Sequence, residues 1–239
     1  MCYSSQMSFS FAIVGFVSTF LSLLNPVHRK LFLYVPIGFY TCMELLQGVQ
    51  YSHVNQCGQF ANSVSTEIAY ILVIVQPLMW NILYYIRAPL AEKNLFIVGS
   101  CMAVIWMVFS ITARLIDGPR SMTDTHSYVP SSDDLLLANG CTLQASSSNH
   151  LYWKWVSTDL RGLDANWLMY LMIWFTPALL GASSRRNVSY TILAAAIAMG
   201  MTYNYGADIA EFSSLWCMYS IPMMMVGSIE CLTNLKAKH

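Results

Sequence analysis

Long apolar segments separated by short polar connections are the feature that most constrains the fold of this chain. Of its 239 residues, 56% are hydrophobic and only 10% are charged, whereas a soluble domain carries about 25% charged residues. A helix needs roughly 20 apolar residues to cross a bilayer, and lipid offers no partner for unpaired backbone groups. The sequence therefore predicts an all-α, multi-pass integral membrane protein, folded as one domain of seven transmembrane helices. The predicted spans are about 7–24, 31–50, 64–86, 95–115, 166–182, 188–206 and 213–233.

The charges of the connections predict the orientation of this bundle. No basic residue precedes the first span, and His28-Arg29-Lys30 follows it. Because Lys and Arg are retained on the cytoplasmic side, the N-terminus is predicted outside and the C-terminus in the cytoplasm. The longest outer loop is then 116–165. Its aromatic stretch 151–156 is interpreted as a short helix in the outer membrane interface, with a ligand-binding lid as the alternative.

Polar side chains within the predicted spans are the first candidates for a functional site, because they are costly in a bilayer. Glu44 is the central candidate, and Gln47 follows it on the same helical face. In the third span Gln76 precedes Pro77, which removes a backbone hydrogen bond, and broken helices beside polar residues form the midplane sites of transporters. The alternative is a set of interhelical hydrogen-bonded clamps. The predicted path is lined by Glu44, Gln47, Gln76, Asn81 and Asn204.

Acidic residues near the outer ends of the spans predict a second feature. Glu67, Asp208 and Glu211 would form an outer vestibule that concentrates cations. Carboxylate oxygens suit hard cations such as Ca²⁺, although the spacing assigns no metal. The alternative is that Asp208 and Glu211 are merely solvated outer acids. Arg114, at the outer end of the fourth span, is predicted to pair with Asp117 at i+3 or with an acid of this cluster.

Two cysteines in predicted outer loops, Cys57 and Cys141, would be permitted to form a disulfide by an oxidising compartment. Cys2 is a third outer candidate, so the pairing stays open at this point. The seventh span has no Lys for a retinal Schiff base, and no HxxxH, GxxxxGK or GxSxG motif is present. The sequence therefore predicts neither a cofactor nor an enzyme, and the net charge of zero argues against a nucleic-acid partner.

Four short motifs run in order along the chain: Met1-Cys2-Tyr3-Ser4-Ser5, Met43-Glu44-Leu45-Leu46-Gln47, Gln76-Pro77 and Trp216-Cys217. In these motifs the chain resembles an uncharacterised family of small polytopic membrane proteins from giant viruses and algae. The resemblance marks family positions but implies no activity. Those positions are Glu44, Gln47, Gln76, Pro77, Trp216 and Cys217. The predicted architecture also looks like that of the PQ-loop sugar transporters, although Gln76-Pro77 has the reverse order and no second copy.

The function predicted from these patterns is a channel or transporter for a proton, a cation or a small polar solute. Glu44 would be the titrating or ligating residue of the path. The competing hypothesis is a non-enzymatic structural subunit or receptor-like protein of a membrane complex. In that case the buried polar residues would be clamps, and a protein partner would bind the outer loop 116–165.

Overall fold

The computed structural model describes residues 4–117, 140–144, 151–154 and 167–181, and most of them are helical. The elements in chain order are α1 (Ser5–Leu24), α2 (Pro26–Lys30), α3 (Tyr34–Gln50), α4 (Phe60–Arg87), a 3-10 turn (Leu90–Glu92), α5 (Lys93–Asp117), β1 (Cys141–Gln144), β2 (Leu151–Lys154) and α6 (Trp167–Leu180). Five of these helices overlap the first five predicted spans. The sixth and seventh predicted spans lie outside the described residues.

Three helical segments of the described chain are long and apolar enough to cross a membrane: Ser5–Leu24, Phe60–Arg87 and Leu90–Leu115. Two of them also turn large apolar side chains outward. Ile13 and Phe20 on α1 are 63% and 60% exposed, and Ile105 on α5 is 69% exposed. Soluble monomers rarely expose wide apolar surfaces of this kind. The fold is therefore compatible with an apolar surrounding medium along α1 and α5.

The turn between α1 and α3 is built by its own sequence. Asn25 ends α1, and its Oδ1 accepts hydrogen bonds from the backbone N–H groups of Val27 and His28 at 2.9 and 3.3 Å. Pro26 then occupies the first turn of α2, where its missing N–H costs nothing. Phe32, at a φ of 56°, completes the reversal into α3. We call this segment, residues 25–33, the elbow.

The elbow encloses a histidine. His28 is buried, and its Nδ1 lies 3.2 Å from Ser22 Oγ. Its Nε2 has no hydrogen-bond partner among the described residues. Burial disfavours the charged imidazolium and lowers the pKa of His28 below its ordinary value of 6.5. Burial therefore favours the neutral form of His28.

Small residues allow α1 to approach α3 closely. Ser8, Ala12 and Gly15 form a buried stripe on α1. A Cβ added at Gly15 would collide with Thr41 Oγ1 on α3. Small side chains at such contacts let two helix backbones come together without a bulky residue between them. The pair α1–α3 is therefore held by close backbone packing.

Helix α4 is the centre of the bundle and contacts α3, α5 and α6. Its Trp80 stacks on Trp174 of α6 with ring centroids 4.9 Å apart, and Tyr40 of α3 meets Trp80 edge-on at 6.1 Å. Such aromatic contacts add to the stabilisation from burial. Trp80 and Tyr84, which lie on the same face of α4 as Gln76, are both buried in the core.

Strands β1 and β2 depart from the all-α prediction. They form an antiparallel two-stranded sheet in which Thr142 lies opposite Trp153; we call this pair of strands the ribbon. The prediction of a short helix at 151–156 is wrong, because Leu151–Lys154 form β2. Burial alternates along this strand: Leu151 and Trp153 are buried, whereas Tyr152 between them is half-exposed. This period of two suits a strand with one face against a core.

Candidate functional site

The first group of buried polar residues includes two on α3, in the half of this helix nearer its C-terminal end. Glu44 and Gln47 are one helical turn apart, and each is 0% exposed. Gln76 on α4 is also buried, and its Nε2 donates to Met43 Sδ on α3 at 3.0 Å. Because Met43 is the neighbour of Glu44 in the chain, Gln76 lies at the same level of the bundle. We call Glu44, Gln47 and Gln76 the middle layer.

Helix α6 completes the middle layer through Tyr170. The Tyr170 hydroxyl donates to Gln76 Oε1, so the Gln76 amide bonds to side chains of α3 and α6 at once. These partners are a thioether and a phenol, and both can rotate about their side-chain torsions. Gln76 of α4 is thus linked to α3 and to α6 through side-chain contacts.

Asn81, one turn below Gln76 on α4, is bonded differently. Its Nδ2 donates to the backbone carbonyls of Pro77 at 2.8 Å and of Ile173 on α6 at 3.0 Å. Its Oδ1 lies so close to Gly99 of α5 that an added Cβ there would collide with it. Asn81 therefore hydrogen-bonds α4 to α6 and packs closely against α5.

The second group of buried polar residues holds the ribbon against the ends of α3 and α4. Asn62 pairs with the peptide groups of Thr142: Thr142 N donates to Asn62 Oδ1 at 3.0 Å, and Asn62 Nδ2 donates to Thr142 O at 3.0 Å. Asn62 Nδ2 also donates to the carbonyl of His53 at 2.6 Å. The side-chain amide of Asn62 thus uses both donors and its acceptor, as a neighbouring strand would.

Side chains extend this contact inward. Gln50 Nε2 donates to Thr142 Oγ1 at 3.1 Å and to Ser65 O at 2.9 Å, while Gln50 Oε1 accepts from Trp153 Nε1 at 3.0 Å. Thr66 Oγ1 lies 2.7 Å from Thr142 Oγ1 and donates to Asn62 O at 2.7 Å. Because Thr66 uses its proton on Asn62 and Gln50 is a donor, Thr142 donates to Thr66. We call this set the ribbon lock; its members are Gln50, Asn62, Thr66, Thr142 and Trp153.

A disulfide bond joins Cys57, in the α3–α4 connection, to Cys141 at the start of β1. The two cysteines are 84 residues apart in the chain. The sequence left the pairing of Cys2, Cys57 and Cys141 open, and the structure contains the Cys57–Cys141 bond. The ribbon is therefore both hydrogen-bonded and covalently attached to the same end of the bundle, which we call the ribbon end.

Glu67 lies near the ribbon end of α4, and Arg114 of α5 holds it. Arg114 Nε and Nη2 approach the two carboxylate oxygens of Glu67 at 2.5 and 2.6 Å, which is a bidentate ion pair. The Arg114 guanidinium also lies 4.6 Å from the ring centre of Tyr70. Arg114 thus makes the predicted pairing with an acid of the outer cluster, and its charge offsets that of Glu67.

The remaining candidate residues Asn204, Asp208 and Glu211 lie outside the described residues, as do Trp216 and Cys217. Within the described ranges, no group of three or more His, Cys, Asp or Glu residues could hold a metal ion. The sequence reasoning missed Gln50, Asn62, Thr142 and Tyr170. The sequence could have indicated Gln50, because it follows Gln47 at i+3 on the same helical face. It could also have indicated Thr142, because it directly follows Cys141, a candidate for the disulfide.

Long apolar helices packed around buried polar side chains are the general build of multi-pass helical proteins. The chain belongs to a family of unknown function (DUF5765), whose members it matches over residues 6–235. The expected membership of an uncharacterised family is confirmed to this extent. No curated protein and no solved structure matches the chain.

Proposed function

We propose that this chain is a multi-pass integral membrane protein that moves a proton, a cation or a small polar solute by way of Glu44. Membrane placement is supported by the three helical segments long and apolar enough to span, together with the outward apolar side chains of α1 and α5. In this proposal the seven predicted spans form the complete bundle, with the N-terminus outside and the C-terminus in the cytoplasm.

Two independent features support this orientation. The elbow carries Arg29 and Lys30, and the α4–α5 connection at the same end of the bundle is flanked by Arg87 and Lys93. Basic residues of this kind stay on the cytoplasmic side. The Cys57–Cys141 disulfide is at the opposite, ribbon end, and disulfides persist in oxidising, extracytoplasmic compartments. Charge and redox chemistry therefore favour the same assignment of the ribbon end to the outside.

The burial of Glu44 is the observation that carries the functional proposal. Its side chain is 0% exposed, Gln47 follows it one turn later on α3, and Gln76 of α4 bonds to Met43, the residue before Glu44. A charged carboxylate is costly in an apolar interior. Binding a proton or a cation relieves that cost, so occupancy of Glu44 can be coupled to movement of the ligand. Amide side chains near Glu44 can donate a hydrogen bond to its charged carboxylate and can accept one from its protonated form.

The contacts refine the roles of the other candidates. Gln47 and Gln76 line the proposed path beside Glu44, and Asn204 remains a proposed lining residue. Asn81 is better explained as a clamp, because both of its donated hydrogen bonds go to backbone carbonyls. Since the charge of Arg114 offsets that of Glu67, the proposed acidic vestibule depends mainly on Asp208 and Glu211.

A flux assay tests the role of Glu44. Purified protein in proteoliposomes with an entrapped pH dye, under a clamped membrane potential, should show a proton or cation flux. Glu44→Gln keeps the shape and removes the titrating carboxylate, so we expect flux to fall roughly tenfold or more, equal to at least about 1.4 kcal/mol in the barrier. The matched control is Glu92→Gln, a carboxylate in the 3-10 turn far from the middle layer. Equal flux in Glu44→Gln and native protein, both folded, would contradict the proposal.

One observation favours a second candidate, a structural or receptor-like subunit. Asn62, Gln50 and Asn81 each donate a hydrogen bond to a backbone carbonyl of a neighbouring segment, as clamps would. The ribbon then presents an ordered surface at the outer end for a protein partner. Purification in mild detergent tests it: a stoichiometric protein partner supports the second candidate, whereas a lone protein with Glu44-dependent flux contradicts it.

A further inference from the structure

We propose that the ribbon is a tethered plug that closes the outer end of the polar face of α3, with the Thr142 hydroxyl as its latch. This inference rests on the proposed function, since it concerns access to Glu44. It assigns to the ribbon lock a role in gating.

The position of Gln50 connects the ribbon to the middle layer. Glu44, Gln47 and Gln50 follow one another at intervals of three residues, and all three are 0% exposed. Six residues of helix correspond to about 9 Å along the axis. The ribbon therefore begins about two turns outward of Glu44. Any water or ion that reaches Glu44 along this face from the outside must pass Gln50.

Side chains of the ribbon cover that passage. Trp153 donates to Gln50 Oε1, and Thr142 Oγ1 accepts from Gln50 Nε2, so both ends of the Gln50 amide are occupied by the ribbon. Leu151 beside them is 0% exposed, and Trp153 is 5% exposed. An indole and a leucine side chain exclude water, so the ribbon seals this face as well as contacting it.

The chemistry of the lock suits reversible opening. All of its groups are uncharged, and each hydrogen bond can be exchanged for one with water at a small net change. The Thr142 hydroxyl stands at the centre, accepting from Gln50 and donating to Thr66. The Cys57–Cys141 bond keeps the ribbon attached while these contacts are broken. A plug that opens and returns needs both a weak latch and a strong tether.

Accessibility of a buried reporter tests the plug directly. The reporter is Gln47→Cys, in a background where all cysteines except Cys57 and Cys141 are serine, labelled from outside by a membrane-impermeant maleimide. Thr142→Val removes the hydroxyl at constant shape, and we expect it to raise the labelling rate about threefold to tenfold, the equivalent of one or two lost hydrogen bonds. Thr142→Ser retains the hydroxyl and should leave the rate within about twofold of native.

A second reporter separates opening of the plug from general loosening. Ala103→Cys on α5 is 0% exposed in the native fold and should stay protected in every Thr142 variant. Equal labelling of Gln47→Cys in native and Thr142→Val protein overturns the proposal. A rise at both reporters also overturns it, because the change would then be global.

Flux distinguishes failure of the plug from failure of the proposed function. In proteoliposomes Thr142→Val should increase flux, and adding Glu44→Gln should remove the increase. If Glu44→Gln alone leaves flux unchanged, the function fails while labelling still decides the plug. If Glu44→Gln abolishes flux but Thr142→Val alters neither labelling nor flux, the plug fails and the function stands.

Discussion

The ribbon lock and the middle layer use the same kinds of residue for different purposes. Both place fully buried amides of α3 and α4 against a neighbouring segment. In the lock, Asn62 bonds mainly to backbone groups of His53 and Thr142, and its Oδ1 also accepts from the Thr66 hydroxyl at 3.5 Å. In the middle layer, Gln76 bonds to the Met43 thioether and the Tyr170 phenol. Backbone partners are fixed, whereas side-chain partners can rotate away. Burial of a polar residue therefore indicates less about function than the identity of its partner does.

The largest effect expected from this comparison concerns the disulfide. Changing Cys57 and Cys141 together to Ser should lower the free energy of unfolding by about 2–5 kcal/mol, because the long loop that they close is no longer constrained in the unfolded chain. Thermal or chemical unfolding in detergent measures the change. The matched control is Cys42→Ser with Cys101→Ser, two free, exposed thiols on α3 and α5, which should change little. Equal losses in both proteins would contradict a special role for the ribbon end.

The next effect contrasts one amide with one phenol. Asn62→Ala removes three hydrogen bonds to backbone groups and leaves the buried Thr142 N–H without its Asn62 acceptor, so we expect a loss of about 2–3 kcal/mol. Tyr170→Phe removes one hydroxyl from the middle layer and should cost about 1 kcal/mol. Thermal or chemical unfolding in detergent compares the stability losses of the two variants. A larger loss for Tyr170→Phe would contradict the larger contribution to stability expected from the backbone contacts of Asn62.

The smallest expected effect lies at the elbow, away from both groups. Burial lowers the pKa of His28, so the folded protein favours the neutral ring more than the unfolded chain does. The corresponding stability is present above about pH 6.5 and is lost as the pH falls through the lower pKa of the folded state. His28→Gln should flatten the pH dependence of unfolding as the pH falls below about 6.5. No side chain of the ribbon lock titrates in that range, so an unchanged slope in His28→Gln would place the titrating group elsewhere.

The sequence predicted the helices well and the ribbon poorly, for a physical reason. Apolar runs long enough for helices such as α1 and α4 are local signals in the sequence. The helix-ending pair Asn25-Pro26 likewise marks the end of α1. Strands β1 and β2 are four residues each. They are held by Asn62 and Gln50, which lie about 80 to 100 residues away in the chain. No local pattern contains such contacts, so the aromatic stretch 151–156 was open to interpretation as a helix.

The candidate site residues were also predictable only where the signal is local. The burial of Glu44, Gln47 and Gln76 follows from their position in apolar helices, so the sequence could identify them as a group. The partners that distinguish a clamp from a path residue come from other helices. Asn81 looked equivalent to Gln76 in sequence, yet its bonds go to the carbonyls of Pro77 and Ile173. Only the packing of α6 against α4 separates the two roles.

The disulfide also sets an order of assembly. Cys57 and Cys141 both precede α6 in the chain, so a ribosome delivers the two thiols before it has made Trp167. Domains form from the N-terminal side during synthesis, so the ribbon can be oxidised onto the end of α3 and α4 before α6 is made. Helix α6 can then dock onto a covalently closed scaffold. A failure of oxidation would therefore affect the chain before the contacts between α6 and α4 can form.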